Sequence, residues 1–352
     1  MDQSRASAAK KPAAIYNLDF MVGFVSSPRF VEHLTGAHHP ERPDRIRAIH
    51  RAVREAGLID SPDPFPDFAI DLGLKRQTQI KLKELTPEPA DPSWILTVHS
   101  QAVIDFVQHM SRHGGVLDQG DTPVCPASYD VALLSLGSAI RAADAVMKGE
   151  VRRAFSAARP PGHHAEPERS MGFCLFSNLA ITARYVQRTY GVEKIAIVDF
   201  DVHHGNGTQA AFEEDPSVLF ISLHQHPKTC YPGSGYDWEI GVGAGKGFTM
   251  NIPMMPGSTD EDYLPAIDSQ VIPRLHEFKP ELIMLSAGFD AHRDDPLANI
   301  ALTEEGFESI TRRLVEVADA ECGGKIVSVL EGGYDLRALG RSVVAHLTAM
   351  AE

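Results

Sequence analysis

At 352 residues, with 43% hydrophobic and 23% charged residues, the chain has the make-up of an ordinary soluble globular protein with ample material for a core. Its 33 Lys and Arg against 47 Asp and Glu give a net charge of −14, which excludes a general nucleic-acid binder, because phosphates require Lys and Arg. No apolar run approaches the roughly 20 residues of a membrane-spanning helix. The N-terminal residues do not read as a secretory signal, and the four cysteines (Cys125, Cys174, Cys230, Cys322) are scattered without a CxxC pair, so reduced thiols and a cytoplasmic location are expected.

Taken in order, residues 1–12 are expected to be mobile, ahead of a first strand at Ala13–Tyr16. The loop His38-His39-Pro40-Glu41-Arg42-Pro43 leads into a helix with Ile46, Ile49 and Val53 on one face. Residues 60–92, rich in Pro and Asp, read as connecting loops with one or two edge elements. After the Cys125-Pro126 turn, Val131, Leu134, Leu136, Ile140, Ala143 and Val146 predict an amphipathic helix over 128–148. Strands and helices then alternate. Strands are predicted at 153–158, 194–198, 218–223, 282–286 and 325–330, and helices over 177–190, 260–278, 303–319 and 336–350. This alternation predicts an α/β fold, one domain over 13–352 with a central, mostly parallel sheet and helices on both faces.

The polar residues fall repeatedly just after the predicted strands. His163-His164 follows the first of these strands, Asp199, Asp201 and His203 the second, and His224 the third. Ser286-Ala287-Gly288-Phe289-Asp290 and Glu331-Gly332-Gly333-Tyr334 follow the last two. In open parallel sheets ligands bind outside these carboxyl ends. Singly, an Asp-x-His is more often a turn or salt bridge, a His pair two satisfied loop imidazoles, and Asp290 a loop carboxylate. Together, Asp201, His203 and Asp290 supply the three N/O ligands of a catalytic zinc with one open position. Such an ion brings a bound water to a pKa of ~7 and polarises a carbonyl. Iron is also compatible with an Asp/His/Asp set. The glycine run Gly241–Gly247 does not make a P-loop, because a predicted strand follows it and Gly247 replaces the Ser/Thr.

The segments Arg159-Pro160-Pro161-Gly162-His163-His164-Ala165-Glu166, Gly172-Phe173-Cys174, Asp199–Gly207, Ala287-Gly288-Phe289-Asp290 and Glu331-Gly332-Gly333-Tyr334 resemble the zinc-dependent histone deacetylase family, in consistent order over about residues 13–350. That family includes bacterial deacetylase-like amidohydrolases and acetylpolyamine amidohydrolases. The resemblance implies an arginase/deacetylase-like three-layer fold and hydrolysis of an acyl-amide on an amine. It assigns the zinc to Asp201, His203 and Asp290, the base and later acid to His164, an electrostatic partner to His163 and the oxyanion donor to Tyr334. Phe173 and Tyr231 would wall a narrow substrate tunnel, with Gly172, Leu297 and Gly332 also along it. Structural potassium is implied too, one ion near Asp199, Asp201, His203, Ser222 and Leu223, and Arg45 matches an arginine of an internal channel.

Asp199 is expected behind His163, and Asn206 behind His164, as in class II members where class I carries Asp. Leu297 stands where polyamine-selective relatives carry a gatekeeping Glu, which favours acyl-lysine over a cationic acetylpolyamine as substrate. An acetylpolyamine deacetylase is the runner-up. A binuclear ureohydrolase is disfavoured because Gly205 occupies the position of its extra Asp ligand, and a non-catalytic acyl-lysine-binding scaffold because every reactive group is present. The loops at 21–40 and 225–240 are candidate rim segments, or contacts between copies in a homo-oligomer.

Overall fold

Residues 22–76 and 80–352 are described by the structure, a computed structural model; the expected strand at Ala13–Tyr16 and the first 12 residues lie outside them. The strands are β1 (Val22–Val25), β2 (Lys83–Leu85), β3 (Gly115–Val116), β4 (Pro123–Val124), β5 (Arg153–Ser156), β6 (Ile195–Asp199), β7 (Val218–Gln225), β8 (Thr249–Met254), β9 (Leu282–Ala287) and β10 (Ile326–Leu330). The helices are α1 (Asp44–Glu55), α2 (Gln101–His113), α3 (Ser128–Met147), α4 (Asn178–Tyr190), α5 (Asn206–Phe212), α6 (Asp260–Ala266), α7 (Ile272–Phe278), α8 (Glu304–Glu321) and α9 (Leu336–Met350). A π-helical turn, Ile267–Val271, joins α6 to α7, so the helix expected over 260–278 is continuous but irregular.

Eight strands form one sheet in the order β2-β1-β5-β10-β9-β6-β7-β8, and every pairing in it is parallel. The cause is visible in β6. Ala196 and Val198 pack into one apolar cluster with residues of α1, α8 and α9, whereas Ile195 and Ile197 pack into another with residues of α3 and α4. A strand apolar on both faces has to be covered on both faces, which is the condition for an interior parallel strand. The result is three layers of helix, sheet and helix.

The four central strands, β5, β10, β9 and β6, are neighbours in the sheet but far apart in the chain. Their carboxyl ends bring together the loops that begin after Ser156, Leu330, Ala287 and Asp199. The sheet therefore converts four separated sequence segments into one site.

Candidate active site

β6 ends at Asp199, and the chain then bends through Asp201–His204 before α5 begins. Asp201 Oδ1 accepts from the backbone N–H of His203 at 2.8 Å and lies 3.1 Å from His203 Nδ1, while Asp201 Oδ2 accepts from Gly332 N–H at 2.7 Å. Asp290, after β9, accepts from Val202 N–H through Oδ1 at 2.9 Å. Its Oδ2 is buried, has no donor, and lies 3.2 Å from His203 Nδ1. One ligand atom from each of Asp201, His203 and Asp290 falls within 4.8 Å of the others.

This arrangement fits a divalent cation. Two buried carboxylates would repel each other, and one of them keeps an oxygen directed at an imidazole nitrogen with no protein donor to satisfy it. The backbone approaches them so closely that a Cβ on Gly288 would lie 2.0 Å from Asp201 Oδ2, and one on Gly332 2.0 Å from Asp290 Oδ2. Only glycine leaves room for the ligand set. Gly332 thus lies behind the carboxylates and is not among the residues that line the cavity.

The His163-His164 loop follows β5 and is suspended from β10: Glu331 Oε2 accepts from the N–H groups of Gly162 (2.7 Å) and His163 (3.1 Å). His163 Nδ1 donates to Asp199 Oδ2 at 3.0 Å. Burial opposes a charge on this ring, but the carboxylates of Asp201 and Asp199 outweigh it and bring His163 up to about 10. His164 goes the other way. Burial, together with the positive charges of His163 and His203, holds it well below the ordinary imidazole range. Its Nδ1 donates to Asn206 Oδ1 at 2.7 Å, and the Asn206 amide is oriented by donation from Nδ2 to Glu166 Oε1 at 2.6 Å. With Nδ1 carrying the hydrogen, Nε2 of His164 is left with a lone pair.

Tyr334 closes the opposite side. Asp295 Oδ2 accepts from its backbone N–H at 2.6 Å, and Asp295 Oδ1 from Leu297 N–H at 3.0 Å, so one carboxylate sets both the tyrosine and the rim leucine. Beneath the ring, the fully buried Arg45 lies 5.0 Å from its centroid and donates to the carbonyls of Gly333 and Glu331. Arg45 also pairs with Glu41 Oε1 at 3.2 Å, and Arg159 holds both Glu41 oxygens at 2.6 Å. The residue expected along an internal channel thus belongs to a buried ion cluster that braces the Glu331–Tyr334 segment.

That cluster has a pH consequence. Burial pushes the Glu41 carboxyl up, but Arg159 and Arg45 outweigh it and bring it down from 4.5 to about 2. A depressed carboxylate contributes stability above its unfolded value, and that contribution fades as pH falls from about 4.5 to about 2. Glu41→Gln is expected to cost about 3 kcal/mol at neutral pH, because it leaves two buried guanidinium groups unpaired. In denaturant titrations the gap from the wild type should shrink across that acid window.

Between these walls lies a cavity of about 210 Å³ lined by Asp121, His164, Gly172, Phe173, His203, Tyr231, Leu297 and Tyr334. Phe173 adopts φ 69°, a left-handed conformation that costs a non-glycine residue energy. It is held there by donation from its N–H to Thr122 Oγ1 at 3.0 Å and from Gly172 N–H to Asp118 Oδ2 at 3.3 Å. Gly172 is required as well, since a Cβ there would meet His164 at 2.6 Å.

The residues expected around potassium are placed as follows. Ser222 is the register partner of Asp199 across β6 and β7, and its hydroxyl bonds His224 Nδ1 at 2.8 Å. Leu223 is fully buried next to it. His224, within β7, bonds the Gly235 carbonyl with its other nitrogen, at 2.8 Å, and stays away from the cavity. Four supporting carboxylates, Asp118, Glu166, Asp295 and Glu41, went unassigned from sequence. Only Glu166 carried a local signal, two residues beyond His164 in the same segment.

A family model described as the histone deacetylase domain matches residues 39–350. The chain is 40% identical over 332 residues to a protein named probable deacetylase from Archaeoglobus fulgidus, covering 94% of this chain and 86% of that one. It is 41% identical over 307 residues to the histone deacetylase-like amidohydrolase of Pseudomonas aeruginosa, covering 87% and 75%. Among solved structures, the HDA15 HD domain superposes with a TM-score of 0.84 at 34% identity, covering 94% of this chain and 89% of that one.

Proposed function

The chain belongs to the histone deacetylase family and is a deacetylase, and from that premise we propose that it removes acetyl or another short acyl group from the side-chain amine of acyl-lysine. The observation that carries this reading is the convergence, at one 210 Å³ cavity, of a buried Asp/His/Asp set, a histidine with a free Nε2 and a tyrosine. Asp201, His203 and Asp290 would hold zinc, which when bound polarises the acyl carbonyl and makes water a better nucleophile at neutral pH.

The chain's own groups perform the rest. His164 Nε2, unprotonated at the start, takes a proton from the attacking water as the new C–O bond forms. It then delivers that proton to the amine nitrogen as the C–N bond breaks. His163, paired with Asp199, contributes fixed positive charge beside the developing oxyanion. The Tyr334 hydroxyl donates to the same oxygen. Burial and the nearby Asp290 keep the phenol well above its ordinary range, so it remains a donor. Phe173, Tyr231 and Gly172 enclose the methylene chain, and Leu297 meets whatever follows it at the rim.

A structural potassium ion beside Asp199, Asp201, His203, Ser222 and Leu223 is part of this reading, as are a single catalytic domain over 13–352 and a cytoplasmic location. Among the described residues no helix is long and apolar enough to cross a membrane.

Leu297 supports acyl-lysine over an acetylpolyamine. It is 39% exposed at the cavity mouth and offers nothing to pair with an ammonium group. Comparison of kcat/KM for an acetyl-lysine peptide with acetylputrescine and acetylspermidine tests the assignment, and a tenfold polyamine preference would overturn it. Leu297→Glu should shift the ratio toward the polyamines by about tenfold, the value of one partly desolvated charge pair.

A further inference from the structure

His39 lies half-buried in the loop before α1, outside the reacting groups. Its Nδ1 is 3.0 Å from the carbonyl oxygen of Glu41, and its Nε2 is 3.0 Å from the carbonyl oxygen of Asp121. Both partners can only accept. A neutral imidazole has one N–H and one lone pair, so either tautomer would press a lone pair against a carbonyl oxygen at 3.0 Å. The imidazolium donates to both.

Asp121 lies close enough for its carboxylate to interact with the imidazole; burial and the adjacent Asp118 push that carboxyl up to about 6, so above that it supplies a counter-charge. His33, the other titratable group facing His39, is held down near 3 by burial and by Arg159 and is neutral. The Glu41 carboxylate is engaged by Arg45 and Arg159. The ring also packs T-shaped on Phe173 at 4.7 Å, and a cation against an aromatic ring is favourable.

We propose that His39, as an imidazolium, is a positioning residue that clamps the loop before α1 to the Asp118–Thr122 loop and thereby sets Phe173 for the substrate. The link is direct: the Asp118–Thr122 loop holds the Gly172 and Phe173 backbone through Asp118 and Thr122, and His39 holds that loop while touching the Phe173 ring. Loss of either ring contact releases one carbonyl and slackens the wall. The consequence falls on binding and leaves the chemical step intact. This inference rests on Phe173 walling the path of an acyl-lysine chain.

The test uses metal-loaded full-length protein with nitrogen-15-labelled histidine, His39 being assigned by its absence from the His39→Phe spectrum. Two ring N–H signals are expected for His39, one for each carbonyl contact. KM for an acetyl-lysine peptide should be about fivefold higher in His39→Phe, which keeps the ring contact but has no N–H to donate, and kcat should stay within about twofold, the scale of one hydrogen bond. A single ring N–H signal for His39, or a KM that His39→Phe leaves unchanged, would overturn the clamp. The N–H signals need no turnover, so an inactive protein with both signals present would instead overturn the acyl-lysine assignment.

Discussion

His164→Ala should lower kcat on an acetyl-lysine peptide by about a thousandfold while leaving KM nearly unchanged, the magnitude expected when a positioned general base and acid is removed. The size of the effect follows from how completely the ring is prepared. Glu166 orients the Asn206 amide, Asn206 takes the Nδ1 hydrogen, and Nε2 is left as the only basic position. Burial and the adjacent positive charge of His163 keep the ring unprotonated before the reaction. An amide partner, unlike a carboxylate, adds no negative charge that would draw a proton onto it prematurely. His163 does not replace it, because that ring is paired with Asp199 and brought up to about 10, past burial, by Asp201 and Asp199. A loss of less than tenfold in steady-state kinetics would mean the proton transfers run elsewhere.

Tyr334→Phe should cost about a hundredfold or more in kcat, the usual scale for one oxyanion donor. The substitution isolates the hydroxyl. The ring is fixed by Asp295 through the backbone, by Arg45 against its face at 5.0 Å and by Phe173 at 5.9 Å, and phenylalanine keeps all three contacts. Thermal stability should therefore match the wild type within experimental scatter, and KM should move little. If kcat survives intact, the hydroxyl is a bystander.

The strand ends were the legible part of this molecule. Alternating apolar strands and helices placed His163-His164, Asp201, His203, Asp290 and Tyr334 after β5, β6, β9 and β10, and the central order β5-β10-β9-β6 is what joins them. β6 stops at Asp199, so strand alternation does not extend to Asp201 and His203: Asp199 turns to His163 while the other two converge on Asp290. Gly207 sits inside α5, where a Cβ would strike the Ala165 carbonyl at 2.3 Å. There a close tertiary approach overrides the low helix propensity of glycine. α2 was not assigned at all, although Val103, Ile104 and Val107 have helical spacing.

What could not be read was the support behind the reacting groups. Asp118, Asp295 and Glu41 are acids in loops, and each acts on residues far along the chain, as when Asp295 captures Tyr334 N–H or Glu41 captures Arg159. Nothing periodic marks such a contact, because it depends on two loops meeting above the sheet. The Phe173 conformation is of the same kind: its positive φ is stabilised by Thr122 and is not a preference of the residue.

Acetate release from an acetyl-lysine peptide, followed as chelator-stripped protein is titrated with zinc, tests the account most directly. Stripped protein should be inactive, activity should rise to a plateau at one zinc per chain, and Asp290→Asn should stay near background at that stoichiometry. Undiminished turnover without metal, or an untouched acetyl-lysine peptide at the plateau where acetylpolyamines are hydrolysed, would contradict it.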